Sequence, residues 1–131
     1  ALRANYAQAG VAAECVAFID NMALAYADAD LVICRAGALT VAELAAVGVA
    51  SVLVPYPHAV DDHQTGNAKY LADNHAAVLL PQSQMNPEQL AGLLREMNRD
   101  KLLKMAQAAR KLAKPHATDD VATVCLELAK T

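Results

Sequence analysis

Two stretches hold the residues able to do chemistry. The first is the run LVICRAGALTVAEL, from Leu31 to Leu44. Four apolar residues lead to Arg35 and a turn at Gly37. A helical pattern then continues through Ala45, Ala46 and Val47, so the stretch reads as strand, tight turn and helix start. A helix start presents backbone N–H groups without intrahelical partners and a partial positive charge, and the two together suit a phosphate. In a parallel α/β sheet such a junction lies at the carboxyl end of a strand, where ligands bind. Glu43 has two readings. With Thr40 it forms T-x-x-E, a capping box, in which the helix begins at Val41 and the carboxylate satisfies a backbone N–H. If the helix begins near Ala38, Glu43 lies one turn in and its carboxylate is placed to take two vicinal hydroxyls of a sugar. The local pattern leans to the cap. Arg35, a charge directly after an apolar strand, suits a phosphate or an acidic neighbour; a plain surface arginine fits the local sequence equally well.

The second stretch is PYPHAVDDHQTGN, residues 55–67. His58, Asp61, Asp62 and His63 combine imidazole and carboxylate, the donor set of a zinc or manganese hydrolase. No H-x-x-x-H or H-E-x-x-H pattern puts two imidazoles on one helix face, and only His75 and His116 remain as distant ligands. A polar substrate loop at the end of a strand is the better reading, with Asp61 or Asp62 capping the helix that follows.

The elements that must position these groups follow from the apolar runs. Residues 1–9 read as the end of a helix stopped at Gly10. Residues 16–19 form a short strand candidate, and Asp20 caps a helix carrying Met22, Leu24 and Tyr26. Strands are expected at 31–34, at 51–54, which Pro55 and Pro57 close, and at 76–80, which Pro81 stops. Helices lie between them, one from about Val41 to Val47 ended by Gly48, another with Ala68, Leu71 and Ala72 inward. Asn86-Pro87-Glu88-Gln89 is a helix start, with Asn at the cap and Pro at the first helical position. A helix from Lys101 to Lys114 and a last one capped by Thr118, with Val121, Val124, Cys125 and Leu128 as its apolar stripe, complete the chain. The strand runs are continuous rather than alternating, as in parallel strands covered on both faces. The expected fold class is therefore α/β, a Rossmann-like parallel sheet with C-terminal helices.

Composition excludes several function classes. The 131 residues suffice for one core, and a net charge of -3 with 4% aromatic residues argues against a nucleic-acid face. No apolar run is long enough to span a bilayer, and none opens the chain as the apolar region of a signal peptide. Cys15, Cys34 and Cys125 are odd in number, widely spaced and set in apolar surroundings, so buried free thiols of a reducing cytoplasm are expected and no metal knuckle is. The basic segment Lys101, Lys104, Arg110, Lys111 and Lys114 is interspersed with Leu and Ala and reads as a solvated helix face. Met97 and Met105 read as core filler.

Taken together, FIDNM at 18–22, ADLVICRAGALTVAE at 29–43, VPYPH at 54–58 and DHQTGNA at 62–68 resemble the MurG family of bacterial GT-B glycosyltransferases, which add N-acetylglucosamine to lipid I to make lipid II. The resemblance covers nearly the whole chain. It implies that residues 1–131 are a single partial donor domain, binding UDP-N-acetylglucosamine without a cofactor or a metal. The Ile19 backbone would meet the uracil edge. Ala38, Leu39 and Thr40, with Val41 and Ala42 behind them, would lie by the diphosphate. Glu43 would hold the ribose hydroxyls and Gln64 the sugar hydroxyls, with Arg35, Gly37, His58, His63 and Asn67 in support. The reaction would be an inverting attack by a lipid I hydroxyl on the anomeric carbon, with UDP leaving.

The family's N-terminal domain, with its Gly-rich loops, its base and its membrane-facing patch, has no counterpart here, nor does a G-G-S-x-G loop. The piece alone is expected not to catalyse transfer. Its acceptor, lipid I, and the cytoplasmic face of the bacterial inner membrane would be engaged through those other regions. In the strand order 3-2-1-4-5-6 the Val16 strand would be the third and the Leu31 strand the fourth, leaving the Leu31 strand with a bare edge that invites edge-to-edge self-association. The rival readings from other classes are a metal-dependent hydrolase built on His58, Asp61 and His63, and a non-catalytic interaction domain.

Overall fold

The computed structural model describes residues 1–58 and 60–130, Val60 by its backbone alone. In chain order the elements are α1 (Leu2–Gln8), α2 (Met22–Asp28), β1 (Leu31–Cys34), α3 (Ala38–Val47), β2 (Ala50–Leu53), α4 (His63–Ala72), β3 (Ala77–Leu79), α5 (Pro87–Arg95), α6 (Arg99–Lys111) and α7 (Ala117–Ala129). Short 3-10 turns lie at Val60–Asp62 and Gln82–Gln84.

The strands form one parallel sheet in the order β1-β2-β3, with Leu31 beside Ala50, Cys34 beside Leu53 and Leu53 beside Leu79. Parallel neighbours need a crossover, and α3 and α4 supply the two. Both faces of the sheet are covered. On one, Leu53 packs with Leu44 of α3, Leu71 of α4 and Ala109 of α6. On the other, Val52, Val54 and Leu80 pack against Leu90, Leu93 and Met97. This two-sided burial is why β2 is apolar almost throughout, and every residue in it is buried. The expected α/β class, a parallel sheet flanked by helices with a helical C-terminal part, is what the chain adopts. Met105 is buried and Met97 packs into the second cluster.

Several local expectations are corrected. Residues 16–19 form no strand: they are neither helical nor paired, and Phe18 is 78% exposed. A strand is stabilised by the neighbour it pairs with, and among the described residues none flanks this one. Among the described residues the sheet thus has three strands, with β1 at its edge. Asn21, not Asp20, caps α2, its Oδ1 accepting from the Leu24 N–H at 3.0 Å; both residue types cap well, so local sequence does not separate them. The helix expected at 101–114 runs from Arg99 to Lys111, with Asn98 Oδ1 accepting from the Lys101 N–H. His116, not Thr118, precedes α7, and the stripe Val121, Val124, Cys125 and Leu128 is exposed. Amphipathic spacing selects a face but does not by itself bury it. Cys125 is accordingly exposed, while Cys15 and Cys34 are half-buried; all three are free.

The Asn86 cap stands as expected, its Oδ1 2.7 Å from the Gln89 N. Gly48 ends α3 in the left-handed region, at φ 78°, and lets the Val49 N–H reach back to the Leu44 carbonyl. Arg110 of α6 closes the same helix end, donating to the Ala46 carbonyl at 2.7 Å, a cation at the negative end of the helix.

Candidate functional site

The carboxyl ends of β1 and β2 lie side by side, and the Val54 N–H extends their pairing by donating to the Cys34 carbonyl at 2.8 Å. The turn at 35–37 and the loop after Val54 therefore meet above the sheet. Only three residues separate β1 from α3. Gly37 takes the N-cap position in an extended conformation, and the Val41 N–H bonds to its carbonyl at 2.9 Å. The helix starts at Ala38, so Thr40 is already helical and the capping box is not formed. Among the described residues no side chain caps α3, and no acidic residue lies in its first turn. The first amides of a helix have no intrahelical partner.

Glu43 consequently sits in the second turn of α3, half-buried, next to Tyr26 of α2. Tyr26 is part of the core. Burial raises its phenol pKa above the ordinary value, and the adjacent Glu43 carboxylate and Cys34 push the same way. Burial also raises the Cys34 thiol. Glu43, Ala38 and Asn67 contribute to the walls of a groove of about 640 Å³ between α3, α4 and the link from α6 to α7.

The β2–α4 loop is tied to the β1–α3 turn by side chains. Gln64 Oε1 accepts from the Tyr56 N–H at 2.8 Å and the Ala36 N–H at 3.3 Å. Asn67 Nδ2 donates to the Ala36 carbonyl at 3.0 Å. The two amides lie on one face of α4, one turn apart, a Q-x-x-N spacing that marks a shared face without naming what it holds. Arg35 reaches backbone carbonyls of the loop after β2. It donates to the Pro55 and Val54 carbonyls at 3.3 and 3.4 Å and lies 5.6 Å from the Tyr56 ring centroid. The His58 ring meets the same tyrosine edge-on, with 5.6 Å between centroids.

Asp61 and Asp62 both adopt left-handed backbone, φ 56° and 51°. Asp62 occupies the N-cap position of α4, but its carboxylate accepts from the Thr65 hydroxyl at 2.7 Å and not from a backbone N–H. His63 is the first residue of α4 and is exposed. Among the described residues no group of three or more His, Cys, Asp or Glu side chains is arranged to hold a metal ion, so nothing in the geometry favours the hydrolase built on His58, Asp61 and His63. Ile19 stands exposed in the irregular segment before α2.

Residues 1–121 match the model of the glycosyltransferase family 28 C-terminal domain. The chain belongs to this family. The UDP-N-acetylglucosamine–N-acetylmuramyl-(pentapeptide) pyrophosphoryl-undecaprenol N-acetylglucosamine transferase of Aromatoleum aromaticum is 67% identical over 129 residues, 98% of this chain and 36% of that protein. The transferase of the same name from Dechloromonas aromatica is 63% identical over 130 residues, 99% of this chain and 37% of that protein. The crystal structure of Acinetobacter baumannii MurG matches with a TM-score of 0.89 at 52% identity, over 95% of this chain and 37% of that one. The chain thus spans little more than a third of the length of the curated relatives it matches. The parallel sheet, the turn at Gly37 and the loop after β2 all lie within the residues matched to that family.

Proposed function

We propose that this domain forms part of the UDP-N-acetylglucosamine site of an inverting transferase, which moves N-acetylglucosamine onto undecaprenyl-pyrophosphoryl-N-acetylmuramyl-pentapeptide, lipid I. The observation that carries the reading is the uncapped start of α3 at the carboxyl end of β1, in a chain 67% identical to a transferase named for that reaction. The amides of Ala38, Leu39 and Thr40 meet the diphosphate, and the helix dipole stabilises its charge as UDP leaves. Glu43 accepts from the ribose hydroxyls, a role its place in the second turn supports. The Gln64 amide nitrogen serves the sugar hydroxyls, its oxygen being committed to the backbone. The Ile19 backbone meets the uracil. Arg35, Gly37, His58, His63 and Asn67 support this surface, and a metal or cofactor has no part in it.

The acceptor, the catalytic base and the contact with the inner membrane belong to regions outside this domain, which alone does not turn over. The test is titration calorimetry of the intact protein with UDP-N-acetylglucosamine. Glu43→Ala is expected to weaken binding by about 1–3 kcal/mol, the worth of hydrogen bonds to a charged group. Unchanged affinity would remove Glu43 from the site.

A further inference from the structure

The donor-site reading leaves the aim of α3 unexplained, and it is the aim that the two amides of α4 govern. Ala36 is fully buried. Its N–H and carbonyl both need partners, because an unpaired buried backbone group is costly. Among the described residues both partners come from side chains of α4: Gln64 Oε1 for the N–H and Asn67 Nδ2 for the carbonyl. The Ala36 carbonyl belongs to the peptide that enters Gly37, the residue before the first free amide of α3. We propose that Asn67, with Gln64, is a positioning residue of the donor site: it holds Ala36 so that the α3 N terminus points its amides at the diphosphate. The inference rests on the donor-site reading but assigns Asn67 to the protein's own backbone and to the diphosphate end, away from the sugar. Amides already aimed before the charge arrives lose nothing to reorganisation, whereas a small misplacement is costly.

The discriminating probe is UDP, which carries the diphosphate and no sugar. Calorimetry on the intact protein compares UDP with UDP-N-acetylglucosamine. Asn67→Ala is expected to weaken both by the same factor, roughly three- to tenfold, the worth of one lost hydrogen bond. Gln64→Met, close in size but without the acceptor, is expected to weaken UDP binding similarly, and it carries the test if Asn67→Ala does not fold. Asn74→Ala removes an amide-to-carbonyl bond of 2.7 Å, to Tyr70, from the other end of α4. It is expected to leave UDP affinity intact, which separates aim from general loosening of the helix. A loss confined to UDP-N-acetylglucosamine would make Asn67 a sugar contact and overturn the inference, as would unchanged affinity for both ligands. Failure of the unsubstituted protein to bind UDP would instead bring down the donor-site reading itself, and is seen before any variant is made.

Discussion

Gly48→Ala probes the corner where α3, β2 and α6 meet. Gly48 sits at φ 78°, ψ 66°, where a residue with a Cβ is less stable than glycine by about 1–2 kcal/mol. A second penalty comes from packing. The new Cβ would stand 3.0 Å from the Arg110 Cβ and 3.3 Å from the Ala106 carbonyl oxygen. Neither is the loose end of a side chain. Both are fixed to α6, so the helix must retreat from the corner or the turn must open, and overpacking of this kind costs about 1–3 kcal/mol. The expected loss is therefore about 2–5 kcal/mol, a large share of a domain's stability. It is read from urea unfolding followed by circular dichroism at unchanged slope. Arg110→Ala separates both penalties from the loss of the Arg110 hydrogen bond. It removes the exposed bond to the Ala46 carbonyl, worth about 1 kcal/mol, but keeps the Cβ that the added methyl group would strike. Combined with Gly48→Ala it should give no relief. A Gly48→Ala loss below about 0.5 kcal/mol, the range of neutral surface changes, would refute both the left-handed turn and the close approach of α6.

Other substitutions test separate features. His75 follows α4 in the same left-handed region, at φ 63°, with the Ala76 N–H bonded to the Leu71 carbonyl; His75→Gly should raise stability by about 0.5–1 kcal/mol, and a loss in urea unfolding would contradict the turn. The Ser51 hydroxyl is buried in β2 without a hydrogen-bond partner among the described residues, so Ser51→Ala should leave stability unchanged or raise it by up to about 1 kcal/mol; a clear loss would mean the hydroxyl is bonded. Cys34 and Tyr26 both have raised folded pKa values, so the folded state holds their protons more tightly than the unfolded chain. Their contribution is intact below the unfolded pKa values and is lost as pH rises through the folded ones, making stability fall from about pH 9 upward. Cys34→Ala should flatten the first part of that fall in urea titrations at successive pH values, and an unaltered slope would count against it.

The order of strands and helices from Leu31 onward is legible because its signals are short-range. Apolar runs of four, Gly48 after a helix and Asn86-Pro87 before one act through neighbouring residues, and they appear where the sequence puts them. The residues of the candidate site are legible as types for the same reason. Their roles are not. Whether Glu43 closes a capping box or lies one turn in beside Tyr26 depends on whether Gly37 or Thr40 takes the cap, and the three-residue span from a paired β1 decides that. Arg35 finds carbonyls 19 and 20 residues away, and Ala36 finds Gln64 and Asn67 at 28 and 31. No local pattern names such partners, because only the parallel pairing of β1 with β2 brings the two loops together. The same limit explains the failed strand at 16–19 and the exposed stripe of α7. Propensity and periodicity describe what a segment offers, and its burial depends on a neighbour that the segment's own sequence does not contain.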